Sequence, residues 1–206
     1  KHEVSYTIPA THHTYKPDFK LPNGIFIESK GWFLPEDRKT EGLFLDKSIC
    51  ENIIATVLQS HSQFGCLDHN KRDITAKNYI QSLNIKTDDE QKIVRKLSGG
   101  NQQKVLLAKW LETNPEVLII SEPTKGIDIG AKFEIHAVLQ ELASKGVAII
   151  IISSDLPEVL NVCDRLLVMK DGSIAGELMT KGTTEEDILA MASGFESTSR
   201  NITNQD

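Results

Sequence analysis

The stretch VLIISEPTKGIDIGAKFEIHAVLQELASKGVAIIII, residues 117–152, decides the fold. It opens on an aliphatic run, Val117 to Ile120, of strand length. From Ala131 to Ser144 the residues Ile135, Leu139, Leu142 and Ala143 recur at helical spacing, and Lys145-Gly146 ends the helix. A second aliphatic run, Val147 to Ile152, shows no polar alternation, so a strand buried on both faces is expected there. Strand, helix and strand in succession imply a largely parallel sheet and an α/β fold.

The same alternation continues downstream. Leu156 to Val162 reads as a short helix and Arg165 to Met169 as a strand. Asp171-Gly172 then turns that strand into SIAGELM, residues 173–179. Thr183-Thr184-Glu185-Glu186 reads as a capping box that opens a last helix through Ala192. Upstream, Ile49 to about His61 has helical spacing, and a second helical stretch begins near Asp73. Ser98 can N-cap a helix over 98–112 that carries Val105, Leu106, Ala108 and Leu111 on its apolar face. Trp32-Phe33-Leu34 reads as a short buried strand stopped by Pro35. The expected organisation is an irregular segment at 1–22, one domain at 23–194 with a helical part at about 46–112, and a frayed polar tail at 195–206.

Composition narrows the classes. The 206 residues suit one domain, and 39% hydrophobic with 25% charged residues is ordinary for a globular protein. The net charge of −6, with no basic stripe, argues against nucleic acid as a partner. The longest aliphatic run falls far short of the roughly 20 apolar residues a bilayer needs. Cys50, Cys66 and Cys163 form no CxxC pair, so each is expected to be a small buried apolar residue in a reducing compartment. The pair His12-His13 has no carboxylate or cysteine at ligand spacing, and no metal centre is expected.

Two motifs carry chemistry. In LSGGNQQK, residues 97–104, Ser98 and two glycines stand directly before a helix. Glycines let backbone N–H groups approach an anion, and the helix N-terminus adds partial positive charge. Judged alone, a plain capped helix after a Gly-Gly turn is a fair competitor. In VLIISEPTKGID, the strand ends at Glu122 and Pro123, as at the edge of a nucleotide-hydrolysing site, but Ser121 stands where a second carboxylate is usual. Gly24 to Lys30 mimics a phosphate loop and fails it, with Ser29 at the second glycine and Gly31 at the magnesium-binding hydroxyl.

The order LSGGNQQK, VLIISEPTKGID, VAIIIISSD, at these spacings, resembles the ATP-binding cassette of ABC transporters, a P-loop NTPase-like α/β fold. LPEDRKTEGL, the Asn-Gln-Gln ending, GIDIGAKFEI and SSDLPEVL…DRLLVM make it similar to the second cassette of bacterial monosaccharide importers of the ribose, galactose and xylose type. The resemblance implies a signature motif at Leu97, Ser98, Gly99, Gly100, Asn101 and Gln102 that meets the γ-phosphate of ATP held by another cassette. It implies a Walker B end with Ser121 and with Glu122 as general base, a D-loop containing Asp128, and a switch position at Ser154. It places Glu36, Asp37 and Arg38 where the family couples to membrane permease subunits, although Arg38 also reads as an exposed surface arginine. ATP and Mg2+ shared with a partner cassette, a sugar-binding protein as indirect partner, and a peripheral position on the cytoplasmic side of the membrane follow from the same resemblance.

Three departures qualify it. No Walker A, with its strand and helix, is found ahead of this region; Ser121 replaces the Walker B aspartate; and Ser154 stands at the switch histidine. All fall on the chain's own nucleotide side, while the signature is intact. The expectation is therefore a chain that is not an ATPase alone but completes another cassette's site. The alternative is a non-catalytic interaction module, or a decayed transporter remnant, that neither binds nor hydrolyses ATP. A soluble cassette protein acting on ribosomes or DNA is disfavoured by the acidic balance and by the PEDRK block.

Overall fold

The computed structural model describes residues 31–63 and 65–194. It also describes two backbone strand pairs, Tyr6–Thr7 with Thr14–Tyr15 and Phe19–Lys20 with Phe26–Ile27. Of the phosphate-loop mimic only Phe26-Ile27 is among the described residues; the rest of Gly24 to Lys30, His12-His13 and the tail at 195–206 lie outside them. The chain forms two compact units, residues 1–150 and 151–206.

In the first unit, β1 (Gly31–Leu34) runs parallel to β2 (Val117–Ser121), with Gly31 opposite Val117 and Leu34 opposite Ile120. β3 (Ala148–Ile152) completes the order β1-β2-β3, and the unit boundary falls inside it. Leu34, Leu118 and Ile120 are completely buried, while Phe33 is 49% exposed. The expectation of a doubly buried β3 is corrected. Its residues alternate between exposed and half-buried, and Ile150 is 46% exposed. An unbroken aliphatic run shows only that a strand suits burial on two faces, not that both are covered.

Four helices among the described residues belong to this unit, and the first packs against both the second and the third. α1 (Ile49–Ile54) starts in a capping box: the Glu51 amide donates to Ser48 Oγ, and Ser48 N donates to the Glu51 carboxylate at 2.8 Å. The helix expected to reach His61 stops at Ala55. Thr56 turns its hydroxyl onto the Lys109 carbonyl (2.9 Å), and the chain resumes as a 3-10 turn over Leu58–His61. α2 (His69–Ser82) begins ahead of the expected Asp73, because Asp68 caps it and accepts from Lys71 N at 2.9 Å. α3 (Gly99–Leu111) matches the expected helix, but burial is not confined to an apolar face. Every residue from Gln102 to Lys109 is buried. α4 (Ile129–Ser144) starts two residues earlier than expected, with Asp128 as its cap. Ile135 and Leu139 are buried as read, but Ala143 is exposed.

A helix buried all round must satisfy its polar side chains internally. The Lys104 ammonium donates to the Asn84 carbonyl (2.8 Å) and pairs with Glu134 on α4 at 2.7 Å. Lys109 donates to the Gly42 carbonyl (2.9 Å) and lies 4.9 Å from the Phe44 ring and 5.4 Å from the Trp110 ring. Burial pulls the Lys109 pKa down. The core around α3 holds Ile49, Ile53, Ile54, Leu106 and Leu107.

In the second unit, α5 (Leu156–Val162) is followed by the antiparallel pair β4 (Arg165–Lys170) and β5 (Ser173–Met179), then by α6 (Glu185–Ser193). Asp171 (φ 49°) and Gly172 (φ 76°) both take the left-handed turn conformation, as a two-residue hairpin needs. Val159, Leu166, Val168 and Ile188 form the core of this unit. The capping box of α6 pairs Thr184 with Asp187 rather than using Thr183 or Glu186, a shift of one residue from the expected motif. Cys50 is buried as expected and Cys163 is half-buried, but Cys66 is exposed beside Gly65 on a short hairpin.

Candidate functional site: the α3 N-terminus and its surroundings

Ser98 caps α3 with its side-chain oxygen. Asn101 N donates to Ser98 Oγ at 3.4 Å, and Asn101 Nδ2 donates to the same oxygen at 2.9 Å. Two acceptances use both lone pairs of the hydroxyl, which leaves its proton to donate outward. The Asn101 amide is oriented from its other end, where Oδ1 accepts from Lys86 N at 2.8 Å. The amides of Gly99 and Gly100 lie in the first turn and have no acceptor within the helix.

Gly100 is required here by contact. A Cβ at this position would stand 2.4 Å from Ala131 Cβ, so α3 and α4 approach as closely as two backbones with one methyl between them allow. This approach brings two helix N-termini to one recess of about 140 Å³, lined by Lys86, Ser98, Gly100, Asn101, Asp128, Gly130, Ala131 and Glu134. Asp128 turns its carboxylate to its own helix and accepts from Ala131 N at 2.9 Å. Glu134 is held by two lysines, Lys104 at 2.7 Å and Lys86 at 3.3 Å. The hydrogen bond from Lys104 is the main cause that holds its pKa below the usual carboxylate value. The remaining hydroxyl proton, the first-turn amides and two helix dipoles suit an anionic oxygen.

Of the expected site residues, the structure brings Ser98, Gly100, Asn101 and Asp128 to one recess and puts Gly99 directly behind it. Leu97 and Gln102 are buried beneath and serve packing, with Gln102 Nε2 donating to the Val94 carbonyl at 3.2 Å. Arg38 is not the exposed arginine of the alternative reading. It is only 8% exposed, and its guanidinium reaches the turn at Lys125-Gly126. Glu36 and Asp37 are exposed, and Glu36 forms an ion pair with Lys125. Ser154 is exposed in the other unit, between Ser153, which donates to Glu158 at 2.7 Å, and Asp155, which caps α5. Sequence reading missed Lys86, Ala131 and Glu134. Lys104 stood in LSGGNQQK and Ala131 and Glu134 in GIDIGAKFEI, but nothing in their spacing links the lysine to a carboxylate 30 residues away.

Ser121 and Glu122 close β2, both half-buried. Glu122 has φ 48°, the left-handed region that disfavours a side chain. Glu122→Gly should therefore be more stable than Glu122→Ala by about 1 kcal/mol, to be read from paired denaturant melts. Equal midpoints for the two variants would show that the turn relaxes without strain. Ser121 offers a neutral oxygen where a carboxylate would support a magnesium ion. Among the described residues no group of three His, Cys, Asp or Glu side chains is placed to hold a metal.

Comparison with known proteins adds the chain's relatives. A family profile described as phage endonuclease I matches residues 1–67, a third of the chain. The ribose import ATP-binding protein RbsA of Lactococcus lactis subsp. cremoris (strain SK11) is 50% identical over 162 residues, covering 79% of this chain and 33% of that protein. The protein of the same name from Bacillus subtilis (strain 168) is 48% identical over 162 residues, with the same coverage. The chain thus spans about a third of the length of these relatives. A nucleotide-free ATP-binding cassette from an ABC transporter superposes with a TM-score of 0.62 at 22% identity, covering 79% of this chain and 64% of that one. A dimeric cassette in a post-hydrolysis state, bound to ADP and Pi, gives 0.61 at 21% identity, covering 74% and 64%. The fold expected from the sequence, a P-loop NTPase-like α/β cassette with a parallel sheet, is the fold these structures share, and the chain is a homologue of the ribose import ATP-binding proteins over the third of their length that it spans.

Proposed function

We propose that this chain supplies the signature half of an ATP site whose other half belongs to a second cassette, and that hydrolysis there drives monosaccharide import. In this reading Ser98 donates its free proton to a γ-phosphate oxygen, while the Gly99 and Gly100 amides and the α3 dipole stabilise the charge that develops there. Asp128 holds α4 against the recess and leads the turn that would meet the second cassette. Glu36, Asp37 and Arg38 would carry the contact to permease subunits on the cytoplasmic side of the membrane, and a sugar-binding protein would deliver the substrate. Glu122 is the general base for a nucleotide on the chain's own side, with Ser121 as a weakened neighbour.

The observation that carries this reading is the Ser98 hydroxyl oxygen, held by two donors from Asn101 in the lining of the recess. The names of the relatives support sugar import, and among the described residues no helix is long and apolar enough to cross a membrane. A fluorescent ATP analogue titrated against the chain, alone and mixed with an intact cassette of the same family, tests it. Binding should appear, or tighten at least tenfold, only in the mixture. Ser121 favours a second reading, a non-catalytic interaction module, and absence of binding in both titrations would establish that reading instead.

A further inference from the structure

Arg38 presents a problem in electrostatics. The residue is only 8% exposed, and among the described residues no carboxylate forms a salt bridge with it. It lies against the N-terminus of α3, since a Cβ on Gly99 would stand 2.9 Å from Nη2. That helix end carries partial positive charge, so the neighbourhood is unfavourable for a cation. Two backbone carbonyls hold it there: Nη1 donates to the Lys125 oxygen at 2.7 Å and Nη2 to the Gly126 oxygen at 3.2 Å. Its Nε has no hydrogen-bond partner. Burial pulls its pKa down, and neighbouring Asp37 partly restores it.

A buried cation with an unsatisfied nitrogen, beside a positive helix end, is a poor stabilising device. Its geometry makes it a good clamp. Three segments far apart in sequence meet on this one planar group: residues 35–38 after β1, the start of α3 at Gly99, and the turn at Lys125-Gly126 that leads to Asp128 and α4. Gly99 must lack a side chain for the guanidinium to fit, because a Cβ there would also stand 3.1 Å from the Gly126 carbonyl. Gly126 has φ 66°, which a side chain would disfavour. The exposed pair Glu36–Lys125 ties the same two loops a second time at the surface. A recess of about 460 Å³ opens beside the clamp, lined by Glu36, Asp37, Arg38, Lys39, Lys125 and Gly126, so the segment is accessible from outside.

We infer that Arg38 is a positioning residue that locks the turn at residues 125–128 onto the α3 N-terminus, so that displacement of the 35–38 segment is transmitted to Ser98. The inference rests on the signature reading above and adds the part that moves it. A lysine keeps the charge but cannot hold two carbonyls in a fixed planar fork, so charge and geometry separate experimentally.

Hydrogen exchange on the full 206-residue chain, comparing wild type, Arg38→Lys and Arg38→Met, reads the lock directly. Amides in peptides covering 122–132 should exchange about tenfold faster in both variants, while α1 and α2 stay at wild-type rates and report that the unit is folded. In a transport complex containing the chain, both variants should lower kcat for ATP with KM changed less than twofold. Gly99→Ala, which pushes on the guanidinium from the other side, should reproduce the exchange change. Wild-type exchange in Arg38→Lys would overturn the lock, as would unchanged kcat in both Arg38 variants. Ser98→Arg in the same complex separates the two ideas. If hydrolysis survives it, the signature reading fails. If it abolishes hydrolysis while the Arg38 variants behave as wild type, only this inference fails.

Discussion

Ser98→Arg is expected to lower ATP turnover by the assembled complex by at least 10²-fold while the chain stays folded. The substitution removes the hydroxyl that caps α3 and would donate to the phosphate oxygen. Loss of an N-cap costs about 1 kcal/mol, and placing a cation at a positive helix end adds a few tenths more. For a chain of this size that lowers Tm by roughly 2–4 °C per kcal/mol. The loss of activity must come from the site, because removing one donor aimed at developing charge costs about 10²–10³ in rate. The long side chain would also fill the 140 Å³ recess where the phosphate oxygen is to sit. Turnover and melting measured on the same preparations decide the point. A 10²-fold loss with a Tm drop of only a few degrees supports a contact to nucleotide, while a parallel collapse of both would reduce Ser98 to a cap.

The second large effect is expected at Gly100. Gly100→Ala puts a methyl group 2.4 Å from Ala131 Cβ, closer than real side-chain carbons come. Neither neighbour is the far end of a flexible chain, so α3 and α4 must separate. Overpacking of this kind costs about 1–3 kcal/mol, which predicts a Tm lower by roughly 2–12 °C. The separation would also pull Glu134 away from Lys104, whose side chain is 1% exposed and whose ammonium otherwise bonds only the Asn84 carbonyl. Moving the methyl rather than adding one tests the mechanism. Gly100→Ala combined with Ala131→Gly should recover most of the lost stability, whereas Ala131→Gly alone should not stabilise. Additive effects in this double-mutant cycle would show that the two positions do not share the space.

Local chemistry explains what the sequence made legible. Aliphatic runs, caps and turn residues act over a few positions, so Val117–Ser121, Leu156–Val162 and the Asp171-Gly172 turn were readable within a residue. The capped start of α3 was readable because its serine, glycines and helix lie together in the chain. Helix ends moved where a cap one residue or several away competed, as at Asp68, Asp128 and Thr184. Burial was hardest to read. α3 carries Gln102, Gln103, Lys104 and Lys109 in its most enclosed stretch, and no periodicity in polarity announces that. Arg38 likewise looked like a surface residue, because its partners are carbonyl groups and carbonyl groups have no letter in a sequence. Ile150 erred in the other direction: the run around it suits an interior strand, yet it is nearly half exposed.

The enclosed Lys109 gives the cassette an internal optical probe. Its ammonium lies 5.4 Å from the Trp110 ring and is anchored on Gly42, at the end of the helical turn that begins with Arg38. A charge at that distance from an indole shifts the energy of its excited state, so the emission colour of Trp110 depends on where Lys109 is held. The chain contains only two tryptophans, Trp32 and Trp110. With Trp32 replaced by phenylalanine, the remaining fluorescence would follow the 38–42 turn in real time, without an attached dye, as nucleotide or a second cassette is added.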